Sequence, residues 1–157
     1  MYESRFSRWA RWEDRDLLDG VEWPGIYIIT HTSKNIKGRK FIWRPEIIYI
    51  GMTNAAAGLK GRLRQFDNTI RGQRGHGGAD RVRHKHQSYP KLIEKLFVSV
   101  VPFKADVKSN QPKDLKTMGD VARFEYQCFA QFVEKFGTLP EFNDKKNSPK
   151  YSRTHRQ

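Results

Sequence analysis

The chain has 157 residues, which is enough for one globular domain with an apolar core and too few for two ordinary ones. Its 30 Lys and Arg residues outnumber its 17 Asp and Glu residues, so the formal net charge of +13 excludes an acidic scaffold. Aromatic residues make up 13% of the chain, too many for a disordered basic tail. We therefore expect one folded, basic domain over residues 1–157, with its core at about 24–143 and a basic tail at 144–157.

Two absences narrow the class of protein further. No segment approaches the roughly 20 consecutive apolar residues that a membrane-spanning helix needs. The N-terminal 15 residues are charged throughout, unlike a secretory signal, so we expect a cytoplasmic location and no membrane partner. Cys128 is the single cysteine, which excludes an intrachain disulfide and a zinc site built from several thiolates.

Three strands are predicted after a charged N-terminal segment, residues 1–24, which we call the lead-in. Residues 25–30 follow Pro24 and form a short, β-branched, apolar run, which is typical of a buried strand. A second strand at 46–51 comes after a basic, turn-rich stretch, and a third spans 96–103. The first two are expected to pair as a hairpin with a long connection. Because both faces of the strands are apolar, helices should cover the sheet on at least one side, giving a mixed α/β (α+β) fold.

Two helices are predicted. The first begins near Ala55 with Asn54 as its cap, and its core-facing stripe consists of Leu59, Leu63, Phe66 and Ile70. The second runs from about Asp120 to Phe136, with Thr117 and Asp120 placed like a capping box and Gly137 as the stop signal. Its apolar positions are Val121, Phe124, Cys128, Phe129, Phe132, Val133 and Phe136.

Positive charge is concentrated between residues 60 and 86, where eight Lys and Arg residues accompany two Asp residues and several glycines. Glycines allow a backbone to approach phosphates closely, and cationic side chains gain affinity for nucleic acid by releasing its counterions. The segment is therefore a candidate nucleic-acid surface, and the alternative is a solvated, mobile loop. The candidate contacts are Lys60, Arg64, Arg71, Arg74, Arg81, Arg83 and His84. The basic tail, with Lys145, Lys146, Lys150, Arg153 and Arg156, would lie over the domain or on the ligand.

Glu125 breaks the pattern of its helix, because it lies on the apolar face four residues after Val121 and three before Cys128. A buried carboxylate must be ion-paired, protonated or bound to a metal. The structural alternative is a pair with a nearby Arg or Lys. No second carboxylate, His or Cys accompanies it at a familiar ligand spacing, so a metal would be held by Glu125, waters and the substrate, as magnesium is.

Tyr27 and Tyr49 each lie between isoleucines on the first two strands. Because side chains alternate across a sheet, two tyrosines on paired strands can point to one face. Taken singly, each also fits a core aromatic whose hydroxyl is hydrogen-bonded. Arg62, beside the apolar stripe of the first helix, also fits a surface arginine whose stem covers apolar residues.

Five pieces of this sequence, in order, resemble the GIY-YIG nuclease superfamily. Gly25-Ile26-Tyr27 and Tyr49-Ile50-Gly51 match its two name-giving tripeptides. Leu59-Lys60-Gly61-Arg62-Leu63 resembles its Leu-x-x-Arg-(Ile/Leu) helix, Glu125 lies in the expected late helix, and Leu139-Pro140-Glu141-Phe142-Asn143 resembles its closing segment. Either tripeptide alone would be weak evidence, whereas the ordered set is specific.

The resemblance implies a three-stranded antiparallel sheet flanked by helices and hydrolysis of phosphodiester bonds with one divalent metal ion, Mg²⁺ or another such as Mn²⁺. It implies that Tyr27 deprotonates the attacking water, with Tyr49 beside it. Arg62 would hold the scissile phosphate and Glu125 the metal, while Asn143 would support the site.

Two departures from the family pattern stand out. The tyrosines are 22 positions apart, wider than the compact family spacing, so residues 32–45 are interpreted as an inserted basic loop. Several members carry a histidine one helical turn after the arginine, where this chain has Phe66. His76 or His84 from the glycine-rich stretch is the candidate substitute, and His76 as a loop residue also fits a phosphate contact.

The sequence thus predicts a metal-dependent endonuclease acting on double-stranded DNA. A restriction-type enzyme is favoured, because a single domain must read its target through its own loops, and a palindromic target would favour a homodimer. A repair or homing nuclease of the same superfamily and a nucleic-acid-binding module without catalysis are the alternatives. RNA as substrate stays open, although no RNA-binding module is evident.

Overall fold

A computed structural model describes residues 2–151 of the chain, apart from the side chain of Tyr2. Arg153 and Arg156, predicted to contribute to the basic tail, lie outside the described residues. Within them, helices and strands form a mixed α/β fold, as the sequence predicts.

Four antiparallel strands form one sheet in the order β1-β4-β2-β3. They are β1 (Ala10–Arg11), β2 (Gly25–His31), β3 (Ile47–Thr53) and β4 (Leu96–Pro102). The predicted hairpin is confirmed, because β2 and β3 pair directly through the register Tyr27 to Gly51. β4 pairs along the other side of β2. The strand β3 therefore forms one edge of the sheet.

The expected count of three strands is wrong, because β1 of the N-terminal lead-in adds to the outer edge of β4. Its docking follows from aromatic residues within that charged segment: Trp9 is 2% exposed and Trp12 is fully buried. A 3₁₀ turn at Trp12–Leu17 follows β1 and places Trp12 against Phe66. The free energy gained by burying these large rings holds the segment on the sheet, although charged residues lie beside them in the sequence.

Helix α1 spans Gly58–Arg71, and its predicted stripe of Leu59, Leu63, Phe66 and Ile70 is buried as expected. The predicted cap is wrong. Ala57 occupies the cap position without a side-chain bond, and Asn54 Nδ2 instead donates to the Met118 carbonyl. The N–H groups of Leu59 and Lys60, in the first turn of α1, donate to the backbone carbonyls of Trp23 and Val21 before β2, so tertiary contacts replace the side-chain cap.

The glycine-rich basic stretch is helical, which corrects its interpretation as a loop. Helix α2 spans Gly77–Lys85 and a short helix, α3, spans Tyr89–Ile93. The imidazole of His76 caps α2 by accepting a hydrogen bond from the backbone N–H of Ala79. This cap and the burial of Ala79 and Val82 against α1 stabilise a helix that the two glycines in its first turn disfavour.

Helix α4 spans Pro112–Phe136, so it begins eight positions before the predicted start at Asp120. The predicted capping box is wrong, because Thr117 already lies inside the helix and donates to the Lys113 carbonyl. Pro112 in the first turn suits a helix start. Gly137 ends the helix at φ 81°, as predicted. Of the predicted apolar positions, Val133 is 39% exposed rather than buried.

Two apolar cores lie on opposite faces of the sheet. Helices α1 and α2 cover the face that carries Tyr27, while α4 covers the face that carries Ile28. The connection between β2 and β3 lacks helix and strand, yet it packs into the α4 side through Phe41 and Trp43. The two rings contact Phe6 of the lead-in at centroid distances of 3.9 and 5.9 Å. The exposed Lys and Arg residues of this connection therefore lie on a segment that Phe41 and Trp43 hold against the core.

Asp67 ties the lead-in to the helices on the Tyr27 side. Its carboxylate accepts hydrogen bonds from Trp12 Nε1 at 2.8 Å, Tyr89 Oη at 2.7 Å and Arg71 Nε at 2.8 Å. Arg15 forms an ion pair with it at 3.3 Å. The four partners come from three elements, namely the 3₁₀ turn at Trp12–Leu17, α1 and α3, so one carboxylate holds together segments distant in the sequence.

Between residues 2 and 151, no helix is long and apolar enough to cross a bilayer.

Candidate active site

The two tyrosines of the tripeptides lie side by side where β2 meets the edge strand β3, with ring centroids 6.0 Å apart. The ring of Tyr27 lies over Gly51, its register partner. A Cβ at position 51 would stand 2.3 Å from Tyr27 Cζ, so only glycine leaves room for the ring. The sequence prediction that both tyrosines share a face is confirmed.

His76 completes the cluster from the start of α2. Its Nε2 lies 2.6 Å from the Tyr27 hydroxyl oxygen, and its ring packs edge-on against Phe66 with centroids 4.8 Å apart. Phe66 follows Arg62 by one helical turn on α1, and its side chain is the one against which the His76 ring packs. The imidazole thus reaches the tyrosines from another element. His84, the other candidate, lies near the opposite end of α2 and lines a different cavity with Lys85 and Glu141.

The hydrogen bonds of His76 define its tautomer. Because Nδ1 accepts from the Ala79 N–H, the proton of the neutral ring is on Nε2 and is donated to the Tyr27 oxygen. Burial and the charges of Arg62 and Arg81 lower the pKa of His76 to about 3. His76 is therefore a neutral hydrogen-bond donor at ordinary pH, and it cannot accept the proton of Tyr27 in this arrangement.

Burial raises the pKa of Tyr27 well above its usual value, with further raising from Tyr49, while Arg62 opposes the shift. Burial also raises the pKa of Tyr49. Tyr27 is fully buried, so water reaches its hydroxyl only when a neighbouring side chain moves. Tyr49 is partly exposed. In the free protein both phenols are protonated, and Arg62 together with the His76 N–H would stabilise a phenolate at Tyr27.

Arg62 lies on α1 and its charge acts on both tyrosines, His76 and Glu125. Its Nη1 donates to Gln65 Oε1 at 2.8 Å, and the side chain is only partly buried. Among the described residues it forms no ion pair. A guanidinium without a carboxylate partner at the mouth of the cluster suits a phosphate, which it binds through two parallel hydrogen bonds.

Glu125 reaches the cluster from α4, on the other side of the edge strand. Burial raises its pKa to about 7, and Arg62 acts in the opposite direction. Within residues 2–151 no Lys or Arg forms an ion pair with it, which disfavours the interpretation of Glu125 as half of a buried salt bridge. A bound cation would stabilise the ionised form of such a half-buried carboxylate, which has no other charge partner.

The donor set around Glu125 is small. In the described part of the chain, no group of three or more His, Cys, Asp or Glu side chains is placed to hold a metal ion. A single carboxylate fits Mg²⁺ or Mn²⁺ only if waters and a phosphate supply the remaining ligands, which is the way magnesium often binds in proteins. The unpaired, partly exposed state of Glu125 agrees with that kind of site.

Asn143 lies in a 3₁₀ turn, Glu141–Asn143, after α4. Its Oδ1 accepts from the Ile50 N–H and its Nδ2 donates to the Ile50 carbonyl, both at 2.9 Å. The amide thus binds the open edge of β3 next to Tyr49. This placement is a structural support rather than a contact with reacting groups.

The remaining predicted nucleic-acid contacts differ in their surroundings. Lys60, Arg64 and Arg74 are exposed. Arg71 is tied to Asp67 and stacks over Tyr89, and Arg83 stacks over Tyr151 at 3.9 Å. Arg81 is 8% exposed, within α2. The stretch therefore holds some cations in structural contacts and presents others to solvent.

Gly78 is a site residue that the sequence reasoning missed. A Cβ there would stand 2.3 Å from Tyr49 Cε1, so the first turn of α2 packs directly on the Tyr49 ring. The pair Gly77-Gly78 next to a histidine is the signal that marks this close approach, but glycines in a basic segment also fit a flexible loop.

The geometry defines a mixed α/β protein with a cluster of two tyrosines, histidine, arginine and glutamate at one sheet edge. Comparisons of the chain with models of known families, with curated proteins and with solved structures find no match.

Proposed function

We propose that the protein is a metal-dependent endonuclease of the GIY-YIG type that hydrolyses phosphodiester bonds of double-stranded DNA. One observation carries the proposal: the rings of Tyr27 and Tyr49 lie 6.0 Å apart, and Arg62 and Glu125, from two further elements, lie close enough to shift the pKa of both tyrosines. The net charge of +13 favours a polyanionic substrate.

In this proposal each residue has a separate task. Arg62 exchanges its hydrogen bond with Gln65 for the scissile phosphate. Tyr27 first gives its own proton to solvent water, and the phenolate, which Arg62 and the His76 N–H stabilise, then accepts the proton of the attacking water. Glu125 would hold Mg²⁺ or Mn²⁺, and the chemistry that the ion would supply is charge neutralisation at the phosphate and at the departing oxygen. Asn143 keeps β3, and with it Tyr49, in place.

The experiment is incubation of supercoiled plasmid with the purified protein, with magnesium and with chelator. We expect nicking and linearisation that the chelator abolishes, and discrete fragments if the enzyme is of restriction type. Glu125→Gln should lower cleavage by at least about 100-fold while DNA binding persists. Glu134→Gln, an exposed carboxylate on the same helix, is the matched control and should cleave at the wild-type rate.

A nucleic-acid-binding module without catalysis is the second candidate, and the full burial of Tyr27 is the observation that favours it. It predicts salt-dependent DNA binding with no cleavage under any metal. Binding without cleavage in manganese and magnesium would therefore reject the endonuclease in favour of the module.

A further inference from the structure

Arg81 is a mostly buried cation without a direct partner for its charge. It is 8% exposed, and it forms no hydrogen bond or ion pair with any residue from 2 to 151. A guanidinium that has no hydrogen-bond partner and belongs to a mostly buried side chain is suited to bind an anion that reaches it.

The Arg81 guanidinium points back toward the first turn of its own helix, as helical side chains do. Its Nη1 lies 3.8 Å from where a Cβ of Gly77 would stand. The N–H groups of Gly77 and Gly78 have no acceptor among the described residues, since the His76 cap serves Ala79. Unpaired N–H groups and the positive end of a nine-residue helix thus meet a cation at one place.

A second cation makes this place more favourable for an anion, and the nearby carboxylate is already bonded. Lys150 Nζ lies 3.4 Å from the same Cβ position of Gly77, so a second cation flanks the helix start. Arg81 also lines a cavity of about 390 Å³ that contains the carboxylate of Glu141. Lys85 Nζ donates to the two oxygens of that carboxylate at 2.5 and 3.0 Å.

The place adjoins the candidate active site. His76 links the two places, because its Nε2 bonds the Tyr27 hydroxyl while its Nδ1 caps α2. Tyr49 packs directly on Gly78. An anion at the start of α2 would therefore sit next to the tyrosines, on the side where α2 rather than α1 supplies the cation.

We propose that Arg81 and the N–H groups of Gly77 and Gly78 form a second phosphate subsite, which holds the nucleic-acid phosphate next to the one held by Arg62. This inference rests on the proposed function, because it assigns Arg62 to the scissile phosphate. The subsite positions the strand, while Arg81 itself takes no part in bond cleavage. It explains why an unpaired cation is retained inside a small domain.

Thymidine 3′,5′-bisphosphate and thymidine 5′-monophosphate are the probes, because the first presents two phosphates at the spacing of neighbouring nucleotides and the second presents one. Calorimetric titration in metal-free buffer should show the bisphosphate binding wild type at least about tenfold more tightly, the fold-change of one charge-assisted contact. Arg81→Gln should reduce this ratio to about one. Lys91→Gln, an exposed cation on the neighbouring helix α3 and outside the predicted contacts, should leave it unchanged.

Thermal melting in phosphate-free buffer separates a binding role from a structural one. Because the guanidinium of Arg81 lacks a partner in the described protein, Arg81→Gln should melt no lower than wild type. A melting temperature well below wild type, a ratio near one in wild type, or a ratio that survives Arg81→Gln each overturns the subsite.

Plasmid cleavage on the same preparations keeps the two proposals apart. Cleavage by a wild-type protein that does not distinguish the two probes rejects the subsite and leaves the endonuclease. A clear bisphosphate preference that depends on Arg81, in a protein that never cleaves DNA, supports the subsite and rejects the endonuclease.

Discussion

The hydroxyl of Tyr27 is the one group that Tyr27→Phe removes, because the ring remains packed on Gly51. We expect cleavage to fall by about 100-fold or more, the effect of losing a general base. The His76 N–H loses its acceptor, which should lower the free energy of unfolding by about 1–3 kcal/mol. Tyr49→Phe should be milder in both respects, since its hydroxyl is partly exposed. Plasmid cleavage rates and denaturant titrations measure the two effects, and a wild-type rate for Tyr27→Phe would remove Tyr27 from catalysis.

The raised pKa of Glu125, about 7 in the folded protein against 4.5 for an ordinary glutamate, makes stability depend on pH. Between these values the folded state binds more protons than the unfolded state, so stability is fully present below about pH 4.5 and is lost as the pH rises through 7. In chelator, Glu125→Gln should therefore melt higher than wild type at pH 8 and equally at pH 4.5. Melting curves at both pH values test this, and equal melting at pH 8 would contradict it.

At the scale of the element, the close fit of β3 under Tyr27 gives a stringent test. Gly51→Ala places a methyl group within 2.3 Å of Tyr27 Cζ, so the ring must move away from His76. We expect a loss of about 1–3 kcal/mol in stability, the usual cost of overpacking, together with loss of cleavage. The control is Gly119→Ala, at an exposed position of α4 where a Cβ meets nothing within 4 Å. Alanine there should raise the free energy of unfolding by about 0.5–1 kcal/mol. Denaturant titration of both variants makes the comparison.

The elements that could be predicted from the sequence are those with a local pattern of apolar side chains. The strands at 25–31 and 47–53 were recognisable from β-branched runs, and α1 from its apolar stripe. Helix α2 was missed because its stability comes from the His76 cap and from packing, neither of which glycine-rich composition reveals. The lead-in strand was missed for a related reason, since Trp9 and Trp12 are isolated among charges.

The candidate site was predicted in a similar way. Residues within recognisable motifs, such as Tyr27 and Arg62, were identified, and the structure brings them together. The tautomer of His76 and the unpaired state of Arg81 depend on contacts between separate elements, so no local pattern indicates them. The assignment of catalytic roles stays a prediction.

At the scale of the whole molecule, the Asp67 carboxylate joins the lead-in to two helices. Burial alone would raise its pKa, but hydrogen bonds from Trp12, Arg71 and Tyr89 outweigh it and lower the pKa below its usual value. Asp67→Asn should reduce the free energy of unfolding at pH 7 by about 3–5 kcal/mol, because it leaves buried partners unmatched. A lowered pKa gives stability that is present above the unfolded value of 3.8 and lost on acidification, so the difference should shrink at lower pH. Denaturant titrations at pH 7 and pH 3 test this, and a difference that is constant with pH would contradict it.

The two hydrogen bonds between Asn143 and Ile50 also have a consequence for self-association. An edge strand presents unpaired N–H and C=O groups to which a second chain can add, which is a common route to aggregation. The Asn143 amide satisfies both groups of Ile50, just as a neighbouring strand would. The edge that carries Tyr49 is thereby closed to strand addition at Ile50, while α1 and α2 cover the face that carries the tyrosines. The turn after α4 thus protects a concentrated solution of this basic protein from polymerising through the sheet edge that the candidate site requires.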